Sequence, residues 1–452
     1  MFNRITTLFL VIAGVCILMP ACKKWEEHNR ITDEGISMNL LERIQANPDL
    51  STFAGLLAKS GYADTIASSK VFTVYAPVNQ ALSSITSSLE SDSEALKRFV
   101  ANHIATQAYY TSVIEGTQRI PVLNGKYHNL NTTSIDDVPF ASKDLAARNG
   151  VVQVLTTALP VLNNTWEFAA SDARMPALQK VLMVDSLGSM FRTRVHNLGD
   201  ESKNFTLFVL QDAAWQSEVD KFKPAAHVPG NADSTAIVAG WIVVKDLAVD
   251  ALYKSASEIP DTVVSRSGVR VGIDKSAIVS TIKTSNGMVY VMSRLEVPLR
   301  NKFRDILIEA ENYNSASHNR LANTFIRDKR DSATSGVFRD ILVYNHGVAM
   351  FNLRYRLTEI PSVKYQVYWM ALNDNINGMT APFTQKIGVD SFNSPLPAYA
   401  TVQLNTYAEQ PAGEFTLTAY RPTFNLYLTA ANNTTANSNA IVCNYIRLVP
   451  VF

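Results

Sequence analysis

A short alternating stretch occurs twice in this chain, and a second short block follows each copy at nearly the same distance. The first copy runs Phe72-Thr73-Val74-Tyr75-Ala76-Pro77-Val78-Asn79-Gln80-Ala81. The second runs Phe205-Thr206-Leu207-Phe208-Val209-Leu210-Gln211-Asp212-Ala213-Ala214-Trp215. The following blocks are Asn149-Gly150-Val151-Val152-Gln153-Val154-Leu155 and Asn286-Gly287-Met288-Val289-Tyr290-Val291-Met292. Asn149 stands 76 positions after Thr73, and Asn286 stands 80 after Thr206. Each first block has the alternation of a strand and then breaks into a polar turn with small residues. Two blocks repeated in order at matched spacing indicate duplication of a whole folding unit.

The chain has 452 residues, room for about three domains at the usual ~150 residues each. Hydrophobic residues at 47% and charged residues at 18% are those of a globular protein that can build its own cores. With 41 basic and 40 acidic residues and no basic run, the chain lacks the surface that phosphate neutralisation needs, so no nucleic-acid partner is expected. Catalytic signatures are missing as well: there is no H-E-x-x-H, no G-x-S-x-G and no Walker loop. The seven histidines are scattered, and none pairs at the i, i+4 spacing of a helical metal site. No catalytic residues, metal site or cofactor are expected.

The N-terminus differs from the rest. Arg4 gives a small positive start, and residues 8–19 form an apolar run of signal-peptide length. The run ends at Met19-Pro20-Ala21-Cys22, which resembles a bacterial lipoprotein signal; the resemblance implies that Cys22 becomes the acylated first residue. An ordinary secretory signal with an incidental Cys22 is the other reading. Lys23-Lys24-Trp25-Glu26-Glu27 is similar to the export signal of surface lipoproteins in the Bacteroidetes, and would serve equally as a solvated tether. Of the three cysteines, Cys16 lies in the signal and Cys22 is the lipid site, so Cys443 has no partner for an internal disulfide.

Along the mature chain, residues 38–57 carry apolar positions at helical spacing, with Pro48 suited to a first turn and Gly61 to a stop. Residues 94–104 form a second amphipathic pattern in which Leu96, Phe99, Val100 and His103 align. Residues 218–235, with Pro224, Pro229 and Gly230, are expected to be a loop insertion. Short helices mixed with short strands predict an α+β unit. The F-T-V-x-A-P strand and the later N-G-V-V strand resemble the fasciclin domain over residues 36–161, and more distantly over 164–298. The resemblance assigns its motif positions to Thr73, Pro77, His103 and Asn149, with Thr206 and Asn286 in the second copy. In that copy Val209-Leu210 replaces Ala-Pro, and Gly240-Trp241-Ile242 stands where the His motif is expected. His103 itself is more simply a satisfied histidine at a helix end than a functional one.

After residue 298 the pattern becomes almost wholly alternating, with turns at Pro, Gly and Asn, which predicts a β-sandwich or jelly roll. The first and last runs, Ile308-Glu309-Ala310-Glu311-Asn312-Tyr313 and Asn444-Tyr445-Ile446-Arg447-Leu448, resemble galactose-binding-like jelly rolls, which include many carbohydrate-binding modules. Sugar rings stack on aromatic faces and their hydroxyls need amide partners. Tyr313, Tyr368, Asn373, Asn375 and Asn439 are therefore the candidate glycan-binding residues. Trp369 falls in the inward phase of its strand and belongs to the core, whereas Tyr368 falls in the outward phase.

The expected organisation is multidomain: signal peptide 1–21, tether 22–35, two α+β fasciclin-like domains at 36–163 and 164–300, and an all-β jelly-roll sandwich at 301–452. The resemblances imply a non-catalytic lipoprotein held in the outer membrane by its acyl anchor and facing the cell exterior. They imply adhesion or polysaccharide capture, beside an outer-membrane transporter of the SusC/SusD type or another surface protein. The alternatives are a free-standing structural adhesin and, less simply, a surface glycan hydrolase.

Overall fold

The computed structural model describes residues 34–295, 297–331, 334–374, 382–394 and 399–452. The signal segment, Cys22 and Asn375 lie outside the described residues. The chain divides into two compact units. One holds the residues up to Asn164 with Asp200–Lys203 and Thr284–Asn286; the other holds Thr165–Gly199, Asn204–Lys283 and Gly287–Phe452.

In the first unit the expected helix over 38–57 is two helices, Leu40–Gln45 and Ser51–Ser60. Pro48 has no N–H and disfavours helical backbone at Asn47, so the chain breaks there and restarts. Asn39 and Glu42 form a reciprocal capping box on the first helix. The second buries Phe53, Leu56 and Leu57 and stops at Gly61, whose φ of 83° is the left-handed cap that glycine adopts freely. A later helix, Ser93–Asn102, is capped by Asp92 and buries Leu96, Phe99 and Val100.

These helices pack on a seven-stranded sheet. Its strands are β1 (Phe72–Pro77), β2 (Ile104–Ala105), β3 (Gln118–Pro121), β4 (Tyr127–Leu130), β5 (Ser134–Ile135), β6 (Val138–Ala147) and β7 (Gly150–Leu155). The order is β2-β1-β7-β6-β5-β4-β3. β1 and β7, the two sequence blocks, are parallel neighbours paired from Phe72↔Gly150 to Pro77↔Leu155. Both are buried at every position, as the covered strands of a parallel pair must be.

The second unit repeats this pairing. Its strands begin with β8 (Phe205–Leu210), β9 (Ala248–Val249), β10 (Thr262–Val264), β11 (Arg270–Gly272), β12 (Ile278–Thr284) and β13 (Gly287–Met292). β8 and β13 are parallel from Phe205↔Gly287 to Leu210↔Met292, the same register as β1 and β7, within the order β12-β13-β8-β9. The expected loop over 218–235 is much shorter. A helix continues to Phe222 because Trp215, Val219 and Phe222 share one buried face, and another helix starts at Ala232.

The remaining strands of this unit are all paired antiparallel. They are β14 (Ile306–Glu309), β15 (Ser315–Ala316), β16 (Thr324–Arg330), β17 (Val337–Val343), β18 (Asn352–Ile360) and β19 (Lys364–Met370). β20 (Phe383–Val389), β21 (Ala400–Val402), β22 (Gln410–Thr416), β23 (Arg421–Ala430), β24 (Ile441–Cys443) and β25 (Tyr445–Val451) complete them. They form sheets ordered β14-β25-β19-β22, β15-β18-β23-β20-β21 and β16-β17-β24. One core, including Trp369, Tyr355, Phe424 and Ile446, joins these sheets, as a sandwich requires. Main-chain bonds tie this sandwich to the second repeat: Ser362 N–H donates to Ala225 O and Tyr420 N–H to His227 O, each at 2.8 Å.

Candidate functional site

The motif residues of the repeats are structural anchors. Thr73 Oγ1 donates to Gln107 O at 2.7 Å and accepts from Tyr109 N–H at 2.8 Å. Thr206 does the same with Ala251 O and Tyr253 N–H, at 2.7 and 3.1 Å. Asn149 is buried; its Oδ1 accepts from Leu40 N–H, and its Nδ2 donates to the carbonyls of Ile66 and Ser68. Asn286 is also buried and donates to Asp200 O at 3.2 Å. Pro77 closes β1 opposite Leu155, where Leu210 closes β8 opposite Met292.

His103 has both ring nitrogens engaged. Nδ1–H donates to Phe99 O at 2.8 Å, and Nε2 accepts from Leu159 N–H at 3.0 Å. Only the neutral ring fits this pair of partners, and complete burial pushes its pKa down to about 3. The strand register places Leu247, not the Gly240-Trp241-Ile242 segment, at the equivalent position. Tyr75 N–H donates to His103 O, as Phe208 N–H donates to Leu247 O. The preceding residues are then Asn102 and Asp246. Asp246 is fully buried and pairs with Lys302 at 2.7 Å, with the Ser265 hydroxyl donating to it at 2.6 Å. That correspondence was hidden in the sequence because the segment before Leu247 carries no histidine to mark it.

In the sandwich the glycan candidates occupy different places. Tyr313 is half-buried in the turn after β14. Asn373 is buried beyond the end of β19, where it bridges to Leu404. Asn439 is 1% exposed, and its amide donates to Val348 O and Asn433 O, so it pins a loop. Trp369 is 1% exposed and belongs to the core. Glu309 ends β14, and burial followed by the neighbouring Glu311 raises its pKa.

Among the described candidates, Tyr368 alone lies within an outward-facing cluster. It sits at a β-bulge in β19 opposite Arg447 of β25, whose guanidinium stands 5.0 Å from its ring centre. Its hydroxyl meets Gln366 at 3.1 Å. Arg447 in turn engages Glu409 through a doubled hydrogen bond and Asp305 at 2.6 Å. Hydrogen bonding to Arg447 holds the Glu409 carboxyl below its usual range. Tyr445 lies one alternate position along β25, half-buried, and burial followed by the neighbouring Glu409 carboxylate raises its hydroxyl pKa. Two tyrosines beside a fixed Arg–carboxylate cluster can stack a sugar ring and bond its hydroxyls. Tyr445 was missed because its signal is only its phase relative to Arg447 across two strands.

Among the described residues no group of three or more His, Cys, Asp or Glu side chains could hold a metal ion. No helix among them is long and apolar enough to cross a membrane.

A family model described as the Fasciclin domain matches residues 48–160. No curated protein matches the chain. Among solved structures, a FAS1 domain pair from the insect cell adhesion molecule fasciclin I covers 57% of this chain and 100% of its own, at 16% identity and a TM-score of 0.25. A family 35 carbohydrate-binding module from Clostridium thermocellum covers 33% of this chain and 100% of its own, at 12% identity and a TM-score of 0.23. CsCBM6-3 from Clostridium stercorarium, solved in complex with cellobiose, covers 33% and 95%, at 14% identity and a TM-score of 0.22.

Proposed function

We propose that this chain is a non-catalytic surface lipoprotein that joins an adhesive fasciclin part to a glycan-capturing sandwich. The observation that carries the reading is the Fasciclin domain at residues 48–160 in one chain with an antiparallel sandwich. A Fasciclin domain supports adhesion or protein contact, and the outward Tyr368–Arg447–Tyr445 surface supports sugar stacking. Cys22 supplies the acyl anchor, in an outer membrane of the Bacteroidetes type, with the protein facing the cell exterior. The second repeat is a divergent fasciclin-like domain, and the partner is a SusC/SusD-type transporter that the protein serves in glycan uptake.

The test is to tag the full-length protein in its native host, solubilise the outer membrane gently and identify what co-purifies. A TonB-dependent transporter with its lipoprotein lid is the expected outcome. Recovery of the protein alone, with the anchor intact, moves the reading to a free-standing adhesin. In parallel, the purified full chain is screened against a polysaccharide panel. Failure to bind any member removes the glycan half, and turnover of a member revives the hydrolase.

A further inference from the structure

Where the second repeat meets the sandwich, within the same compact unit, there is a cavity of about 440 Å³. That is within the range of roughly 300–1,000 Å³ typical of small-ligand sites. Its walls include Trp241 and Lys245 from the repeat side and Arg356, Glu359 and Tyr420 from the sandwich side. Nothing in the candidate residues chosen from sequence pointed to it, because its walls come from segments more than a hundred positions apart.

Trp241 is 6% exposed, and its indole N–H finds no hydrogen-bond acceptor among the described residues. A buried donor without a partner is destabilising unless something in the cavity accepts from it. The Arg194 guanidinium stands 5.7 Å from the Trp241 ring centre and forms an ion pair with Glu359 at 2.8 Å. Glu359 has a positive φ of 59°, an unfavourable conformation for a side-chain-bearing residue, and it is skipped between the Thr358↔Thr423 and Ile360↔Arg421 pairs of an otherwise continuous β18–β23 register. Such strain persists where the surroundings hold it, and it clusters at ligand sites.

The charge is one-sided. Glu359 is already neutralised by Arg194, whereas Lys245 and Arg356 form no ion pair among the described residues. An adjoining depression of about 660 Å³ shares Arg304 and adds the exposed Arg300 together with Asp305, which Arg447 already engages, while Lys302 is neutralised by the buried Asp246. An unpaired donor, an aromatic wall, hydroxyl acceptors and uncompensated cations together fit a ring that carries both hydroxyls and a carboxylate.

We propose that this cleft binds an acidic oligosaccharide, a chain of uronic acid residues. The indole N–H and Glu359 meet ring oxygens and hydroxyls, while Lys245 and Arg356 meet the carboxylates. This rests on the glycan reading above and deepens it by naming the glycan's charge and placing the site in the cleft, apart from the Tyr368 surface.

The test is calorimetry on the full chain with a uronic acid trisaccharide and with the same trisaccharide after reduction of its carboxylates to alcohols. The acidic sugar is expected to bind at least ~10-fold more tightly than its reduced form. Lys245→Glu and Arg356→Glu are each expected to weaken it by ~10-fold, with melting temperatures unchanged. Equal affinity for the two sugars overturns the proposal, as does indifference to both charge reversals. Loss of binding in Tyr368→Ala alone overturns it while leaving the glycan reading standing. No binding by the uronic trisaccharide or by any panel glycan removes both.

Discussion

His103 makes the first unit acid-sensitive. Its folded pKa of about 3 lies far below the ~6.5 of a free histidine, so in between the unfolded chain binds the extra proton. The stabilisation is complete above pH ~6.5 and is lost as pH falls toward 3, with a slope approaching about 1.4 kcal/mol per pH unit. The protection factors of amides in β1 and at Leu159, each referred to the intrinsic exchange rate at the same pH, are expected to fall as pH is lowered through that window, and His103→Gln to flatten the dependence. The two Asn-Gly steps are fixed by a different constraint. A Cβ at Gly150 would lie 1.9 Å from Phe72 O, and one at Gly287 would lie 2.2 Å from Phe205 O. Gly150→Ala and Gly287→Ala are each expected to cost about 3 kcal/mol or more in chemical denaturation, as backbone-level faults do. Gly55, inside the helix Ser51–Ser60 with nothing within 4 Å, is the contrast. Gly55→Ala is expected to stabilise by about 0.5–1 kcal/mol. The sequence marked both Asn-Gly steps as recurrent; the reason, a carbonyl from the other block, needs the parallel pairing in three dimensions.

At the scale of elements, the legible part was whatever depended on local pattern. The strands of both repeated blocks, the amphipathic helix within residues 94–104, the stop at Gly61 and the inward phase of Trp369 follow from periodicity and turn chemistry, whereas the parallel pairing of the blocks does not. What was not legible depended on distant partners. The helix to Phe222 was obscured by Pro224 and Pro229 just beyond it, and Asn439 is occupied by carbonyls from two loops. Asp246 and Lys302 show the same limit, since a buried ion pair between residues 56 positions apart has no sequence signature. Removing one partner leaves an uncompensated buried charge. Lys302→Met is therefore expected to cost about 3–5 kcal/mol, and the double variant Asp246→Asn with Lys302→Met to recover most of it. A double-mutant cycle by urea unfolding reads the coupling directly.

At the scale of the whole molecule, the chain combines repeats whose central strands are parallel with a sandwich whose strands are antiparallel. That difference governs its response to tension. The chain enters β1 at Phe72 and leaves β7 at Leu155, which are opposite ends of one ladder. Pulling on the flanking chain slides the two strands past each other, so every rung between them resists at once. β8 and β13, from Phe205 to Met292, are loaded in the same way. In the sandwich Ile306 of β14 pairs with Leu448 of β25, so the chain enters and leaves at the same end. Tension there opens the rungs one after another. Single-molecule pulling is expected to show the sandwich strands parting at lower force than either repeat, since forced unfolding is set by the barrier to rupture and not by equilibrium stability. A protein tethered on one side and holding a polymer on the other would then give way first where it grips, and keep its mooring intact.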